Sequence, residues 1–472
     1  MAQSPNALQR AVALWEKGEI DAAWKIVAPL LCTNPHDAYA LGVGGHIYEK
    51  AGNLPVAYQM YRSATAANPG EANAWLDLGR VADGLWRPQE SERAYMRALA
   101  ANPAPHTKMM TLSNLAAMKV THGKWAEAEK YATRALEIES DSKAARGNLG
   151  FAQLAQRNFA DGWKNYHATL GTDWRHVIKY RDEPEWDGTS GKDVVFYGEQ
   201  GIGDELSFAS VVPDAIRDCR KVILDCDPRL APLFQRSFPA AKVYGTRMSK
   251  GGARWAEDDC AFDASYAIGQ LGELYRTRIE DFPGTPYLVP DPDRVTMWKA
   301  LFSTKPKPVI GIAWRGGTEK TGARFRQWDL EQLHPLLSSI DAQWVSLQYK
   351  SAAKEIAAYR ERHPDIDIKE YPYGVLTADY DDTAALVASC DLVICMQTAV
   401  AHLGGALGVP TFVAVPTISQ WRYGTTGDSI PWYGSLKVYR QQDNDWKGDI
   451  ARITEDTNAH FGRLQGAAAE AA

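Results

Sequence analysis

The dipeptide Asn-Pro recurs at 34–35, 68–69 and 102–103, a spacing of 34 residues. A fixed period of this length marks a helix-turn-helix unit that cannot bury its apolar face alone and stacks on copies of itself. Within the units a small residue follows the mid-repeat turn: Gly18 with Ala23, Gly52 with Ala57, Gly123 with Ala128. The small residue lets the two helices approach closely. Two units depart from the pattern, with Leu85, Trp86, Arg87 and Pro88 where a turn glycine is expected and Glu139-Ser140-Asp141 in place of Asn-Pro. A last unit, 143 to about 171, predicts Phe159, Trp163 and Tyr166 turned towards whatever follows, since an end repeat has no next repeat to cover it. Stacked helix pairs offer a concave face to an extended peptide or a partner helix, but they also serve as dimer surfaces and rigid extensions. Asn73, Asn114 and Asn148 recur near the first helix of successive units, where amides can hold a peptide backbone.

From 174 the period breaks into WRHVIKYRDEPEWDGTSGK, whose Pro184, Gly188 and Gly191 among charges predict a linker. Short apolar runs then alternate with helical spacing, the pattern of parallel sheets covered by helices. A Pro- and Lys-rich hinge at 303–308 divides this region into two doubly wound halves. Such halves place a cleft between the loops at the carboxyl ends of their strands.

Two stretches concentrate the chemistry. The loop 198–205, GEQGIGDE, sets Glu199, Asp204 and Glu205 in one turn after a strand, where a carboxylate can serve as a base or simply cap the next helix. Its glycines lack the dinucleotide spacing and no GxxxxGK[ST] occurs, so dehydrogenase and phosphate-loop ATPase readings fail. The stretch 391–416, DLVICMQTAVAHLGGALGVPTFVAVP, predicts strand, turn, helix, turn and strand, with Gln397 and Thr398 at a helix start whose free amides favour an anion. Glycines and prolines break it too often for a membrane span. Among the other loops of this half, Arg315 can neutralise a diphosphate or pair with a surface carboxylate, Gly316 lets the backbone come close, and Gln348 can read a base edge. Lys320, Arg324 and Arg326 make a basic loop, and His402 suits a buried, hydrogen-bonded histidine better than a base.

A net charge of -6 and a pI near 6.0 give no electrostatic case for nucleic acid or an anionic membrane. The six cysteines form no CxxC pair, and MAQSPNALQR lacks a signal-peptide pattern, so a reducing cytoplasm is expected. The 16 tryptophans suit an aromatic groove or simple core filling. No HxxxH, HExxH or clustered ligand set predicts a protein-bound metal.

With these motifs in hand, the chain resembles bacterial tetratricopeptide-repeat proteins fused to a glycosyltransferase domain of the GT-B type, related to the lipopolysaccharide heptosyltransferases. The resemblance rests on the repeats, Pro184-Glu185-Trp186-Asp187-Gly188, GEQGIGDELSFA with Pro213, VSLQ ending at Gln348, DDTAALVASCDLVI leading to TAVAHLGGALGVP, and PWYGSLKVYRQ with Asp445-Trp446. It implies an α-helical solenoid at 1–173, a linker at 174–192, an acceptor-side Rossmann-like domain at 193–302, a nucleotide-sugar-binding Rossmann-like domain at 303–464, and a flexible tail at 465–472. It also implies transfer of a sugar from a nucleotide-activated donor, with inversion. Asp204 would be the base, with Glu199 beside it. The donor set carried over comprises Gly201, Gly203, Trp314, Arg315, Gly316, Gln348, Asp382, Thr383, Gln397, Thr398, Ala399 and His402. No cofactor is implied, and a donor-borne Mg²⁺ is not required. The acceptor is expected to be Ser/Thr hydroxyls of a protein docked on the repeats, flagellin-like proteins being one class by analogy. A cell-envelope saccharide or lipid-linked glycan is the alternative acceptor. One departure stands out: Met396-Gln397-Thr398 replaces the relatives' Val-Asp-Thr, which leaves open a catalytically inactive scaffold that senses a nucleotide sugar.

Overall fold

The computed structural model describes residues 4–172, 175–247, 253–258, 261–318, 322–443 and 445–471; Trp174, Cys260 and Lys320 lie outside them. Two compact units divide the chain, Met1–Ala152 and Gln153–Ala472.

The first unit is a tetratricopeptide-like helical solenoid. Its helices Ser4–Glu16, Ile20–Thr33, Ala38–Lys50, Leu54–Ala67, Ala72–Gly84, Pro88–Ala100, Pro105–Thr121 and Trp125–Leu136 follow one another as hairpins, and Lys143–Ala155 continues them. The turn inside each pair needs one left-handed residue, supplied by Gly18, Gly52 and Gly123 at φ 81°, 75° and 67°. Trp86 takes the same role at φ 56°, which accounts for the missing glycine of the third pair. Ala23, Ala57 and Ala128 are fully buried. A second period comes from Gly45 and Gly79, where an added Cβ would lie 2.5 Å from the Tyr61 ring and 2.6 Å from the Tyr95 ring. Asn73 and Asn148 each make one bond to an adjacent repeat, Asn73 Oδ1 accepting from Thr107 Oγ1 at 3.1 Å and Asn148 Nδ2 donating to Ser113 O at 3.1 Å.

The second unit holds two all-parallel sheets. β1 (Asp193–Tyr197), β2 (Lys221–Asp225), β3 (Ala241–Tyr244) and β4 (Ala264–Ala267) lie in the order β3-β2-β1-β4. β5 (Val309–Ala313), β6 (Gln343–Ser346), β7 (Ile368–Glu370), β8 (Leu392–Met396), β9 (Thr411–Val415) and β10 (Leu436–Arg440) lie in the order β10-β9-β8-β5-β6-β7. β5, β8 and β9 are buried along their whole length, as apolar runs covered on both faces must be.

The stretch 174–192, expected as a linker, is packed where it is described: Arg175 and Trp186 are buried, and Trp186 N–H donates to Ser265 O at 3.0 Å beside β4. After the glycine loop come two helices, Ile202–Phe208 and Val212–Asp218, joined by a 3₁₀ turn just ahead of Pro213. The last helix is Lys447–Ala471, with an alanine-rich end.

The helix Phe159–His167 falls in this second unit, ahead of the boundary expected at 173. Trp163 Nε1 donates to Arg276 O at 2.8 Å, and the Trp163 ring meets those of Phe208 and Trp421 at 6.2 and 5.5 Å. Phe159 lies against Phe282 and Trp432. Here the tryptophans fill a core.

Candidate functional site

Each sheet changes winding direction beside its first strand: β1 lies between β2 and β4, and β5 between β6 and β8. At such points neighbouring connections diverge and leave a crevice at the carboxyl ends of the strands. The loop after β1 leads into Ile202–Phe208, and the turn after β8 into the helix Ala399–Leu407. These two helices meet. A Cβ on Gly203 would lie 3.3 Å from Ala399 Cα and 3.6 Å from His402 Cδ2, so the missing side chain is what permits the approach. On the other flank, a Cβ on Gly316, which follows β5, would overlap Thr398 Cγ2. Thr398 caps its helix, with Val400 N–H donating to its Oγ1 at 3.3 Å.

Asp204 stands at this junction. Its Oδ2 accepts from Gly201 N–H at 3.1 Å. Its Oδ1 lies 2.8 Å from Arg422 Nη2, a charge contact in which the carboxylate side chain is 31% exposed and the arginine 4%. The Arg422 guanidinium is stacked 4.5 Å from the ring centres of both Phe208 and Trp421. A second buried cation, Arg326, donates from Nη1 to Gln397 O at 3.4 Å, and burial lowers its pKa. His402, one turn into its helix, is held neutral: burial first, and then the Arg422 charge, lower its pKa to about 3. Its Nδ1 is 3.2 Å from the Tyr433 hydroxyl. The junction thus combines a carboxylate at the surface, two guanidiniums beneath it and helix-end amides, which suits an anionic group beside a proton acceptor.

Of the residues singled out in the sequence, Gly201, Gly203, Asp204, Gly316, Gln397, Thr398, Ala399 and His402 come together here. Others are committed elsewhere. Glu199 does not face a crevice: its side chain is 0% exposed, and Arg175 donates from Nε and Nη2 to its Oε1 at 3.0 and 2.8 Å. Its neighbour Glu205 is also buried, which pushes its carboxyl up to about 8 against the pull of Arg247. Arg315 is not poised for a diphosphate, because its Nε is paired with Glu355 Oε2 at 3.1 Å. Trp314 Nε1 donates to the other oxygen of Glu355 at 2.6 Å. Gln348 is buried, with its carboxamide against Arg315. Asp382 is paired with Arg294 Nη1 at 2.6 Å, and Thr383 is buried beside it in the helix Tyr380–Ala388. The Gln397 carboxamide points at the loop that follows β9, its Oε1 accepting from Gln420 N–H at 3.3 Å.

Arg422 is the main residue that motif reading passes over. Its signal is an arginine between two aromatics ahead of a glycine, in Gln420-Trp421-Arg422-Tyr423-Gly424. Gly424, at φ 65°, ends the 3₁₀ turn Trp421–Tyr423 that carries it. Two cavities, of about 530 and 310 Å³, lie elsewhere, one against Pro213, Arg276, Phe282 and Trp432 and the other at the amino ends of β6 and β7. Among the described residues no cluster of His, Cys, Asp and Glu is placed to hold a metal ion, and no helix is long and apolar enough to cross a membrane.

The chain is 30% identical over 419 residues to Protein FlbA of Caulobacter vibrioides, which spans 84% of this chain and 69% of that protein. Cellulose synthase operon protein C of Pseudomonas fluorescens is 30% identical over 137 residues, 29% of this chain and 10% of its own length. Among solved structures, PilW, described as a widely conserved type IV pilus biogenesis factor, shares 21% identity at a TM-score of 0.34 and covers 36% of this chain and 76% of its own. YrrB, described as a TPR protein with an unusual peptide-binding site, shares 18% identity at a TM-score of 0.29 over 34% of this chain and 82% of its own. No protein-family profile matches the chain.

Proposed function

We propose, for a chain that belongs to the family of Protein FlbA of Caulobacter vibrioides, that the second unit is a glycosyltransferase of the GT-B type and the solenoid an arm that docks its acceptor. The observation that carries this reading is that the turn bearing Asp204 meets the amino end of the helix Ala399–Leu407 through Gly203, with Asp204 against the buried Arg422 and Arg326 on the Gln397 carbonyl. In the proposed reaction the acceptor hydroxyl attacks the anomeric carbon of a nucleotide sugar and its proton passes to Asp204. The bond from the anomeric carbon to the diphosphate oxygen breaks, and the diphosphate leaves with the electron pair. Helix-end amides and guanidinium charge stabilise that leaving group. Ser/Thr hydroxyls of a protein are the proposed acceptors, by the docking habit of helical repeats.

A second reading is favoured by one observation, the Gln397 side chain turned onto Gln420 where the resemblance calls for a carboxylate. On that reading the second unit binds a nucleotide sugar without transferring it, and the repeats act as a scaffold. Transfer assays across a panel of nucleotide sugars separate the two. Transfer that falls at least about a hundredfold in Asp204→Ala supports the transferase, in line with the usual contribution of a general base. Nucleotide-sugar binding without transfer by the wild type supports the sensor, and transfer unchanged by Asp204→Ala removes the base.

A further inference from the structure

We propose that Arg422 is the cation that receives the leaving diphosphate, and that it changes partner to do so: Asp204 holds it in the unliganded chain, and an entering diphosphate draws it off and frees the carboxylate. The inference rests on the transferase reading of this site and deepens it.

Three observations carry it. First, burial is unequal across the pair. Asp204 is 31% exposed and Arg422 4%, so the carboxylate covers the guanidinium and stands where an incoming anion would have to stand. Second, the pair is loosely made. Arg422 Nη2 lies 2.8 Å from Asp204 Oδ1 without hydrogen-bond alignment, and its Nε meets no hydrogen-bond acceptor among the described residues. A buried guanidinium with unused donors gains from a ligand that offers several oxygens, as a diphosphate does. Third, two other arginines of these loops are engaged. Arg315 is paired with Glu355, and Arg326 donates to the Gln397 carbonyl. The Phe208 and Trp421 rings fix the plane of Arg422 beside the first turn of Ala399–Leu407, whose His402 already feels its charge.

The exchange has a consequence for the order of events. With Gly201 N–H on Oδ2 and the Arg422 charge against Oδ1, an acceptor hydroxyl competes with that cation for the outward carboxylate oxygen until the donor has drawn it off. Donor binding therefore precedes productive acceptor binding, and Asp204 competes with the donor's phosphates for one cation.

Calorimetric titration of the full chain with inorganic pyrophosphate tests this, because pyrophosphate carries the group common to every nucleoside diphosphate. Four proteins are compared: wild type, Asp204→Asn, Arg422→Gln and the double variant. Freeing Arg422 in Asp204→Asn is expected to tighten binding about threefold or more, and Arg422→Gln to weaken it about tenfold or more. In the double variant the tightening is expected to vanish, leaving the affinity of Arg422→Gln within about twofold. If Arg422→Gln does not fold, Arg422→Met replaces it, since its side chain keeps the contact with the Phe208 and Trp421 rings. Tightening that survives in the double variant would show a general charge effect and overturn the exchange, as would an unchanged affinity in Arg422→Gln or Arg422→Met. A wild type that binds neither pyrophosphate nor any of UDP, GDP, ADP and CDP would instead defeat the donor-site reading itself.

Discussion

His402 shows how one side chain reports its surroundings. Burial lowers its pKa from 6.5 to about 3, so between those values the unfolded chain binds a proton that the folded chain refuses. Stability must then fall as the pH is lowered from 6.5 towards 3, by about 1.4 kcal/mol per pH unit from this group. Denaturant unfolding of wild type and His402→Gln across that range is expected to give curves that converge towards acid, the wild type losing more; parallel curves would contradict a neutral ring. Gly316→Ala is the corresponding steric test. A methyl there overlaps Thr398, and the substitution is expected to lower stability by about 1–3 kcal/mol in thermal melts. At this scale the sequence is legible in residue type and poor in partner. It marks Arg315, Glu199 and Gln348 as polar groups on carboxyl-edge loops, but Glu355, which holds Arg315, lies 40 residues away. Spacing carries local geometry and says nothing about such pairings. Arg422 and Asp204 are brought together only by the folding of both sheets.

The elements are easier to foresee, because their signals are local. Apolar runs give β1, β5, β8 and β9, and the 34-residue period gives the helix pairs. What escapes such signals depends on non-local packing: the stretch after 174 is anchored by Arg175 and Glu183, polar residues with no apolar periodicity to mark their burial. The solenoid offers a comparison of two glycine roles within one hairpin. Gly52, at φ 75° with open space where a methyl would stand, is retained for its backbone alone, so Gly52→Ala is expected to cost about 1 kcal/mol. Gly45 is retained for space, and Gly45→Ala drives a methyl into the Tyr61 ring at a cost of about 1–3 kcal/mol. Thermal melts of the two variants distinguish these causes: pairing Gly45→Ala with Tyr61→Ala should lessen its added penalty, whereas Gly52→Ala should be indifferent to Tyr61→Ala.

For the whole molecule, the division at residue 152 determines where the chain can be cut. Trp163 and Tyr166 are buried in the second unit, so a chain starting at 174 leaves a large void and is expected to be unfolded or insoluble. One starting at Lys143 keeps the helices Lys143–Ala155 and Phe159–His167 and is expected to melt cooperatively. With that shortened chain the docking role becomes testable, since transfer to a protein acceptor should drop while transfer to a free sugar acceptor persists. The measurement that bears most directly on the central proposal is turnover of a nucleotide-sugar panel by wild type and Asp204→Asn, with nucleotide affinity measured in parallel. The expected result is transfer from at least one donor by the wild type, lost by about a hundredfold or more in Asp204→Asn while nucleotide binding is kept or tightened. Transfer that continues undiminished in Asp204→Asn would contradict it.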